Sequence, residues 1–353
     1  MKELLKTLLA GTSLTIDQTI KAFELIMTGQ AGAAEVGALL MLIQQRGATV
    51  DELTGAATVM RRKVTAVEVP TGLTVVDTCG TGGDHTPTFN ISTAAALVTA
   101  AVGRPKGVVV AKHGNRTITR ASGSSQGLEA LGVHLDVNVQ ALTRCLDEAG
   151  ICFCFAPAHH PAMKYAMPIR MELGVPTIFN LLGPLTNPAG ASRQVIGVAD
   201  KDLTQPIATV LGRLGCKAAM VLHGKKQSDV MGPGFCEASV CGPTQITQLA
   251  DGKIETFEIH PADLGLGVSD IEALLVDGPD SSARVIRSVL AGEQGPARDV
   301  VCANASVAMV IAGLAGGLAE GVSLAAEAID RGAASAALNS LINLTQACNT
   351  AAS

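Results

Sequence analysis

The chain has 353 residues and a formal net charge of −5, with 48% hydrophobic and 16% charged residues. That is enough chain for two domains, or for one with a large insertion, and enough apolar residue for a large core, which sets intrinsic disorder aside. Aromatic residues are only 2%, with no Trp and one Tyr. A mildly acidic chain this poor in rings lacks both the basic surface that binds nucleic-acid backbones and the platform that stacks single strands, so any phosphate recognition must be local.

The first stretch, to about residue 65, carries helical periodicity only. Leu4, Leu5, Leu8 and Leu9 fall on one helical face. Thr15-Ile16-Asp17-Gln18 is a capping box opening a helix through Met27. Thr49-Val50-Asp51-Glu52 opens another, ending near Arg61–Lys63, where basic residues suit the helix dipole. Around Val67 the pattern becomes one of strands alternating with helices. Strands are expected at Leu73–Asp77, Val108–Ala111, Ile151–Ala156, Val195–Val198 and Ala218–Leu222. Helices are expected at Ser92–Val102, near Ser124–Leu131, within Asp136–Gly150 and at Leu203–Leu214. Such alternation predicts crossover units and a mostly parallel sheet flanked by helices.

The segment His159–Pro188 interrupts that rhythm with a helix over Ala162–Leu173, which Pro168 is expected to kink, and the loop FNLLGPLTNP. It is expected to pack back on the N-terminal helices. Glu255–Ile259 is a further expected strand, and the C-terminal third reads as largely helical. Val301–Ala319 approaches a membrane span in length and carries no charge, but its Ala, Gly, Asn304 and Ser306 fit a buried helix of an α/β protein. The nine Cys show no metal-finger spacing, and Cys152 and Cys154 lie in an apolar run as buried thiols. With a weakly hydrophobic N-terminus, they point to a reducing, cytoplasmic compartment.

Two loops carry the chemistry. Gly80-Thr81-Gly82-Gly83-Asp84 follows a strand and leads into a helix start at Asn90-Ile91-Ser92-Thr93. Glycines let backbone N–H groups approach an anion, and a helix N-terminus favours phosphate. Hydroxyls at Thr81, Thr88, Ser92 and Thr93 add donors and a metal contact. The loop is neither a Walker loop nor a dinucleotide fingerprint. Lys112-His113-Gly114-Asn115-Arg116 follows the next strand, and Thr119–Ser125 extends the hydroxyl-rich lining. Both lie at strand C-terminal ends, where open α/β sheets bind ligands.

The pieces DTCGTGGDHTPTFNIST, AKHGNR, SGSSQGLEALG, FAPAHHPAMKYAMPIRMELG and TIFNLLGPLTNP, in this order and spacing, resemble the anthranilate phosphoribosyltransferase family of the tryptophan pathway. The resemblance runs over nearly the whole chain. It implies an α/β fold: a small discontinuous helical domain plus a larger domain with a mostly parallel central sheet flanked by helices. The implied division is 1–70 and 159–190 for the helical domain, with 71–158 and 191–353 for the α/β domain. A homodimer through the helical domain is implied as well.

The implied activity transfers a phosphoribosyl group from phosphoribosyl pyrophosphate to the amine of anthranilate, with Mg2+ and with no covalent nucleophile or other catalytic side chain. Phosphoribosyl pyrophosphate would be held by Gly80, Gly83, Asp84, Thr88, Asn90, Ile91, Ser92 and Thr93, and by Lys112, His113, Gly114, Asn115, Arg116, Thr119, Arg120 and Ser124. Anthranilate would be held by Gly80, Asn115 and Arg170, the guanidinium matching a carboxylate. His113 resembles a family residue near the aromatic amine, whereas His159 and His160 also suit a plain helix start.

The metal would take Ser92 and Glu237. Two departures from the family pattern stand out. Cys236 occupies the position of an expected Asp before Glu237, and Cys is a poor magnesium ligand; Asp229, in a lengthened loop, is a possible substitute. Thr119-Arg120-Ala121 stands where Ser-Ser-Lys is more usual. The alternatives are a phosphoribosyltransferase for another aromatic amine, a pyrimidine-nucleoside phosphorylase, and a non-catalytic relative that binds nucleic acid.

Overall fold

The computed structural model describes residues 1–116, 123–226 and 234–350. Both capping boxes form, starting helices Ile16–Met27 and Val50–Arg62. Glu52 of the second is fully buried. Its carboxylate accepts from the amides of Leu14 and Thr49 and from Arg46 at 2.6 Å. This ties two helix junctions to one charge. Helices Lys2–Leu9 and Ala33–Arg46 complete the unit. Of the expected leucine face, Leu4 and Leu8 are buried, while Leu9 is 71% exposed. One residue turns a helix by about 100°, which carries Leu9 off the face that Leu4 and Leu8 share.

Seven strands form one sheet: β1 (Thr74–Gly80), β2 (Val108–Gly114), β3 (Ile151–Phe155), β4 (Arg193–Gly197), β5 (Ala218–Gly224), β6 (Thr244–Ala250) and β7 (Lys253–Ile259), in the order β3-β2-β1-β4-β5-β6-β7. β1 to β5 are mutually parallel; β6 and β7 are antiparallel additions. Strand β6 is absent from the sequence reading, though its signal is present. Asp251 (φ 51°) and Gly252 (φ 75°) form the tight left-handed turn between the two strands. Along β4 and β5 side chains alternate between two cores. Val195, Met220 and Leu222 join the main one, and Ile196, Val198, Ala219 and Val221 join the core beneath the N-terminal helices.

The interrupting segment also enters that second core. Ala166, Ile178, Phe179, Leu182 and Leu185 are buried with the N-terminal helices, and the rings of Phe23 and Phe179 lie 5.5 Å apart. The expected helix over Ala162–Leu173 is two pieces, a 3-10 turn over Pro161–Tyr165 and an α-helix over Met167–Leu173. Pro168 sits in the first turn of the second, so it opens a helix rather than kinking one. The apolar run Val301–Ala319 likewise divides. Helix Pro296–Ala312 ends at Gly313 in the left-handed region, and Leu318–Asp330 follows. These two helices touch closely, because a Cβ on Gly321 would lie 2.7 Å from that of Ser306. Among the described residues no helix is long and apolar enough to cross a membrane.

Replacing Glu52 with Ala leaves the Arg46 guanidinium and two amides without their acceptor. The expected loss is about 3 kcal/mol in urea unfolding; a loss under about 1 kcal/mol would contradict this account.

Candidate active site

The strand order reverses between β1 and β4. The chain leaves β1 toward β2 on one side and β4 toward β5 on the other, so a crevice opens at their C-terminal ends. Gly80 and Gly197 face each other across it. The loop carrying Cys236 drops into the gap. A Cβ on Gly197 would lie 1.8 Å from the Cys236 carbonyl oxygen, and one on Gly80 would lie 3.5 Å from the Cys236 Cβ. Glycine at 197 is therefore a condition for that loop's approach.

The cradle is built from this edge. Gly82 and Gly83 have positive φ, as does exposed His85 (φ 53°), and the Thr81 amide donates to Gly197 at 2.9 Å. Thr88 bridges to Leu275, and the Phe89 amide donates to Leu274. Helix Ile91–Gly103 then opens at Asn90 without a side-chain cap. The Asn90 side chain is instead tied to Ser282, whose hydroxyl donates to Asn90 Oδ1 at 2.8 Å and accepts the Asn90 amide at 3.0 Å. Ile91 is buried in the core. Thr93 is 1% exposed, and its hydroxyl has no protein partner among the described residues. The Asp84 carboxylate, also buried, accepts the Cys236 amide at 3.0 Å and the Thr86 amide at 3.4 Å.

Strand β2 runs three residues further than expected, so Lys112 and His113 are buried strand residues rather than loop residues. The β3 ladder is the physical reason: Lys112, His113 and Gly114 pair with Phe153, Cys154 and Phe155. On the other side the Asp77 carboxylate, fully buried in β1, accepts the His113 amide at 3.0 Å. Burial pushes the Asp77 carboxyl up, opposed by the His113 amide, Asn187 and the Lys112 charge. Burial pushes Lys112 down, opposed by Asp77, Cys79 and Glu237. The ammonium donates to the Thr78 carbonyl and to Ser92 Oγ at 3.1 Å. Lys112 thus lies beneath the cradle and orients Ser92.

Ser92, Cys236 and Glu237 line one pocket with Thr78, Cys79 and Asn304. Asn304, a polar residue in an apolar run, holds both the N–H and the C=O of Ala238. Its Oδ1 accepts the amide at 2.8 Å, and its Nδ2 donates to the carbonyl at 2.9 Å. The Cys236 thiol is turned toward the Gly82 carbonyl at 3.7 Å. Among the described residues no three His, Cys, Asp or Glu side chains form a metal cluster. Thr119, Arg120 and Asp229 lie outside the described residues.

Beyond β2, Gly114 lets helix Ser124–Ala130 come close, since a Cβ there would lie 2.4 Å from Ser124 Oγ. Asn115 is exposed and accepts the Arg116 amide at 2.8 Å. Arg116 pairs with Glu129 at 2.6 Å and lies over the Phe155 ring. Arg170 is half-buried on helix Met167–Leu173 of the inserted segment. Its guanidinium lies 5.2 Å over the Phe179 ring, with Asn180 Oδ1 at 3.5 Å, and burial pushes its pKa down.

The profile of the glycosyl transferase family, a/b domain, matches residues 72–335, and that of the glycosyl transferase family, helical bundle domain, matches residues 2–64. Anthranilate phosphoribosyltransferase of Symbiobacterium thermophilum is 47% identical, with 98% of each chain covered. That of Thioalkalivibrio sulfidiphilus is 44% identical, with 99% of each covered. This chain belongs to the anthranilate phosphoribosyltransferase family. The crystal structure of the Thermus thermophilus enzyme superposes with a TM-score of 0.86 at 35% identity, covering 97% of this chain and 99% of that one. The Saccharomyces cerevisiae enzyme in complex with PRPP and Mg superposes with a TM-score of 0.85 at 26% identity, covering 98% and 97%.

Within this family member, three imidazoles crowd the junction of β2 with the inserted segment. His113 and His160 have their rings 5.2 Å apart, and His159 Nδ1 bonds the Thr65 carbonyl at 2.7 Å. Burial chiefly, then neighbouring histidines, holds His113 at about 3 and His160 at about 4; His159 is lowered too. All three fold as neutral rings but protonate near 6.5 when unfolded. Their stabilisation is therefore present above about pH 6.5 and is lost as pH falls, for His113 and His160 down toward about 4 at up to roughly 1.4 kcal/mol per pH unit per ring, with His159 acting in the same sense. Asp77, raised by burial, acts in the opposite sense near the bottom of that window. The urea midpoint should fall steadily from pH 6.5 to 4.5, and less steeply in His160→Gln; equal slopes would contradict the assignment.

Proposed function

We propose that this chain transfers the 5-phosphoribosyl group of phosphoribosyl pyrophosphate to the amine of anthranilate, giving N-(5-phosphoribosyl)anthranilate and pyrophosphate, a step of tryptophan biosynthesis. One observation carries this reading. The glycine cradle and the uncapped start of helix Ile91–Gly103 meet the Glu237 loop in a single crevice at the sheet's switch point. In this reading the segment from Gly80 to Thr93, with Lys112 to Arg116, Thr119, Arg120 and Ser124, holds the phosphoribosyl substrate. Gly80, Asn115 and Arg170 hold anthranilate, the planar guanidinium taking the carboxylate.

The amine lone pair forms the bond to ribose C1 as the bond from C1 to the pyrophosphate oxygen breaks, and the nitrogen then sheds a proton. The protein's task is to align the two substrates and to stabilise the departing charge. Backbone N–H groups of the cradle serve that charge, and Lys112 adds a positive field from beneath Ser92.

Magnesium fits the donor set. Ser92 Oγ and the Glu237 carboxylate are hard oxygen ligands lining one pocket, and the Cys236 sulfur is turned to Gly82. Two protein oxygens suit an ion that completes its shell with substrate phosphates and water. When bound, it would spread the charge of the leaving pyrophosphate.

The domain division 1–70 with 159–190, and 71–158 with 191–353, is part of the same proposal, supported by the burial of Ala166, Ile178, Phe179, Leu182 and Leu185 with the N-terminal helices, in a core shared with one face of β4 and β5. So is a homodimer through the helical unit, supported by exposed Met41, Tyr165, Met167, Met171 and Val175 on and around that unit. Nine free cysteines support a cytoplasmic setting.

Purified protein with magnesium and both substrates should consume anthranilate, followed by loss of its fluorescence; no turnover would sink the proposal. Arg170→Ala should raise the anthranilate KM by about 10- to 100-fold, as expected for losing a charged hydrogen bond, with the phosphoribosyl pyrophosphate KM little changed. A change confined to the phosphoribosyl substrate would contradict the assignment. Cys236→Asp adds a hard ligand beside Glu237 and should lower the magnesium concentration for half-maximal rate. An unchanged requirement would count against a metal seated at this loop.

A further inference from the structure

His113 and His160 are 4% and 8% exposed, and their bonds have a direction. His113 Nδ1 lies 3.1 Å from the Gly183 carbonyl oxygen, and His113 Nε2 lies 3.3 Å from His160 Nε2. A carbonyl oxygen only accepts, so His113 Nδ1 carries a proton. In the neutral ring Nε2 is then a bare lone pair, and His160 must donate to it from its own Nε2–H. The reverse tautomer of His113 would set a lone pair against the Gly183 oxygen. A doubly protonated His113 would face Lys112, His159 and His160, which oppose its charge, while the Gly183 carbonyl favours it. His160 is itself held in place because its neighbour His159 bonds Thr65 in both directions, ring to carbonyl at 2.7 Å and Thr65 amide to His159 carbonyl at 2.8 Å.

We propose that His160 is a positioning residue: its Nε2–H fixes the tautomer of His113, so that His113 braces the end of β2 against the Gly183 turn and exchanges no proton with the aromatic amine. The brace spans three parts of the fold. The His113 amide is bonded to Asp77 of β1, its ring to Gly183, and its chain leads directly into Asn115. Gly183 closes the inserted segment that carries Arg170 and Asn180. The relay therefore sets the spacing between Asn115 and Arg170, the two side chains assigned above to anthranilate. In that respect it rests on the proposed function, but the direction of the relay does not.

The test uses the full-length chain with its histidines labelled with nitrogen-15, with no ligand, between pH 5.5 and 8. Long-range proton–nitrogen spectra should show His113 neutral with its proton on Nδ1, and His160 neutral with its proton on Nε2, throughout. Spectra of His113→Gln and His160→Gln assign the two rings. A doubly protonated His113 at pH 6, or a proton on its Nε2, overturns the proposal. Kinetics give the second arm. His160→Gln keeps an N–H donor and should retain most of the anthranilate affinity. His160→Leu should raise the anthranilate KM by about tenfold, the size expected for one lost hydrogen bond, and leave both the phosphoribosyl pyrophosphate KM and the pH dependence of kcat between 5.5 and 8 unchanged. Equal effects of Gln and Leu, or a pH dependence of kcat that changes with either substitution, would also overturn it. If anthranilate is not turned over at all, the proposed function fails while the spectra still decide the relay; if His160→Leu does not fold, the unmodified chain decides it.

Discussion

A lysine buried beneath a phosphate cradle needs a counter-charge, and Asp77 supplies it. Lys112 and Asp77 are both buried, and burial disfavours the charged form of each while the other restores it. An uncompensated charge at such depth would cost several kcal/mol, so each residue is a condition for the other. Their partners then assemble the site. Asp77 takes the His113 amide, while Lys112 reaches back to the Thr78 carbonyl and Ser92. One pair thereby registers two strands and the first turn of a helix.

Above this pair, the crevice is closed by backbone rather than by side chains. At position 236 the structure uses the amide, which Asp84 accepts, and the carbonyl, which lies against Gly197. Neither depends on the side chain. The next peptide is held by Asn304. The Glu237 loop is therefore gripped from the cradle on one side and from the core helix Pro296–Ala312 on the other. This explains how cysteine can occupy position 236 without displacing Glu237 from the pocket it shares with Ser92.

Much of this was legible in the sequence, because local rules act over short spans. The capping boxes at Thr15 and Thr49, the alternation of strands and helices, and the glycine loop before Asn90 all lie where local patterning puts them. What was not legible depends on partners distant in the chain. Nothing near Lys112 announces that it is a strand residue, since its ladder partner Phe153 lies on β3. Asn304 reads as an anomaly until Ala238 is beside it. The reversal of strand order is a property of the whole sheet. Strand β6 is a different kind of miss: its Asp-Gly turn is a short-range signal that its Gln and Thr residues mask, since their alternation with apolar positions is weak.

The ring of Phe23 rests on that of Phe179, and the helices Ile16–Met27, Ala33–Arg46 and Val50–Arg62 share their core with Leu182 and Leu185. During synthesis, the first helices leave the ribosome long before the residues that cover them. They must wait, with Ile26, Leu40 and Leu53 incompletely shielded, while β1, β2 and β3 are made. A contact map so weighted toward distant partners slows folding and lengthens the exposure of apolar surface. The discontinuous second core thus makes chain elongation itself an interval of exposed apolar surface.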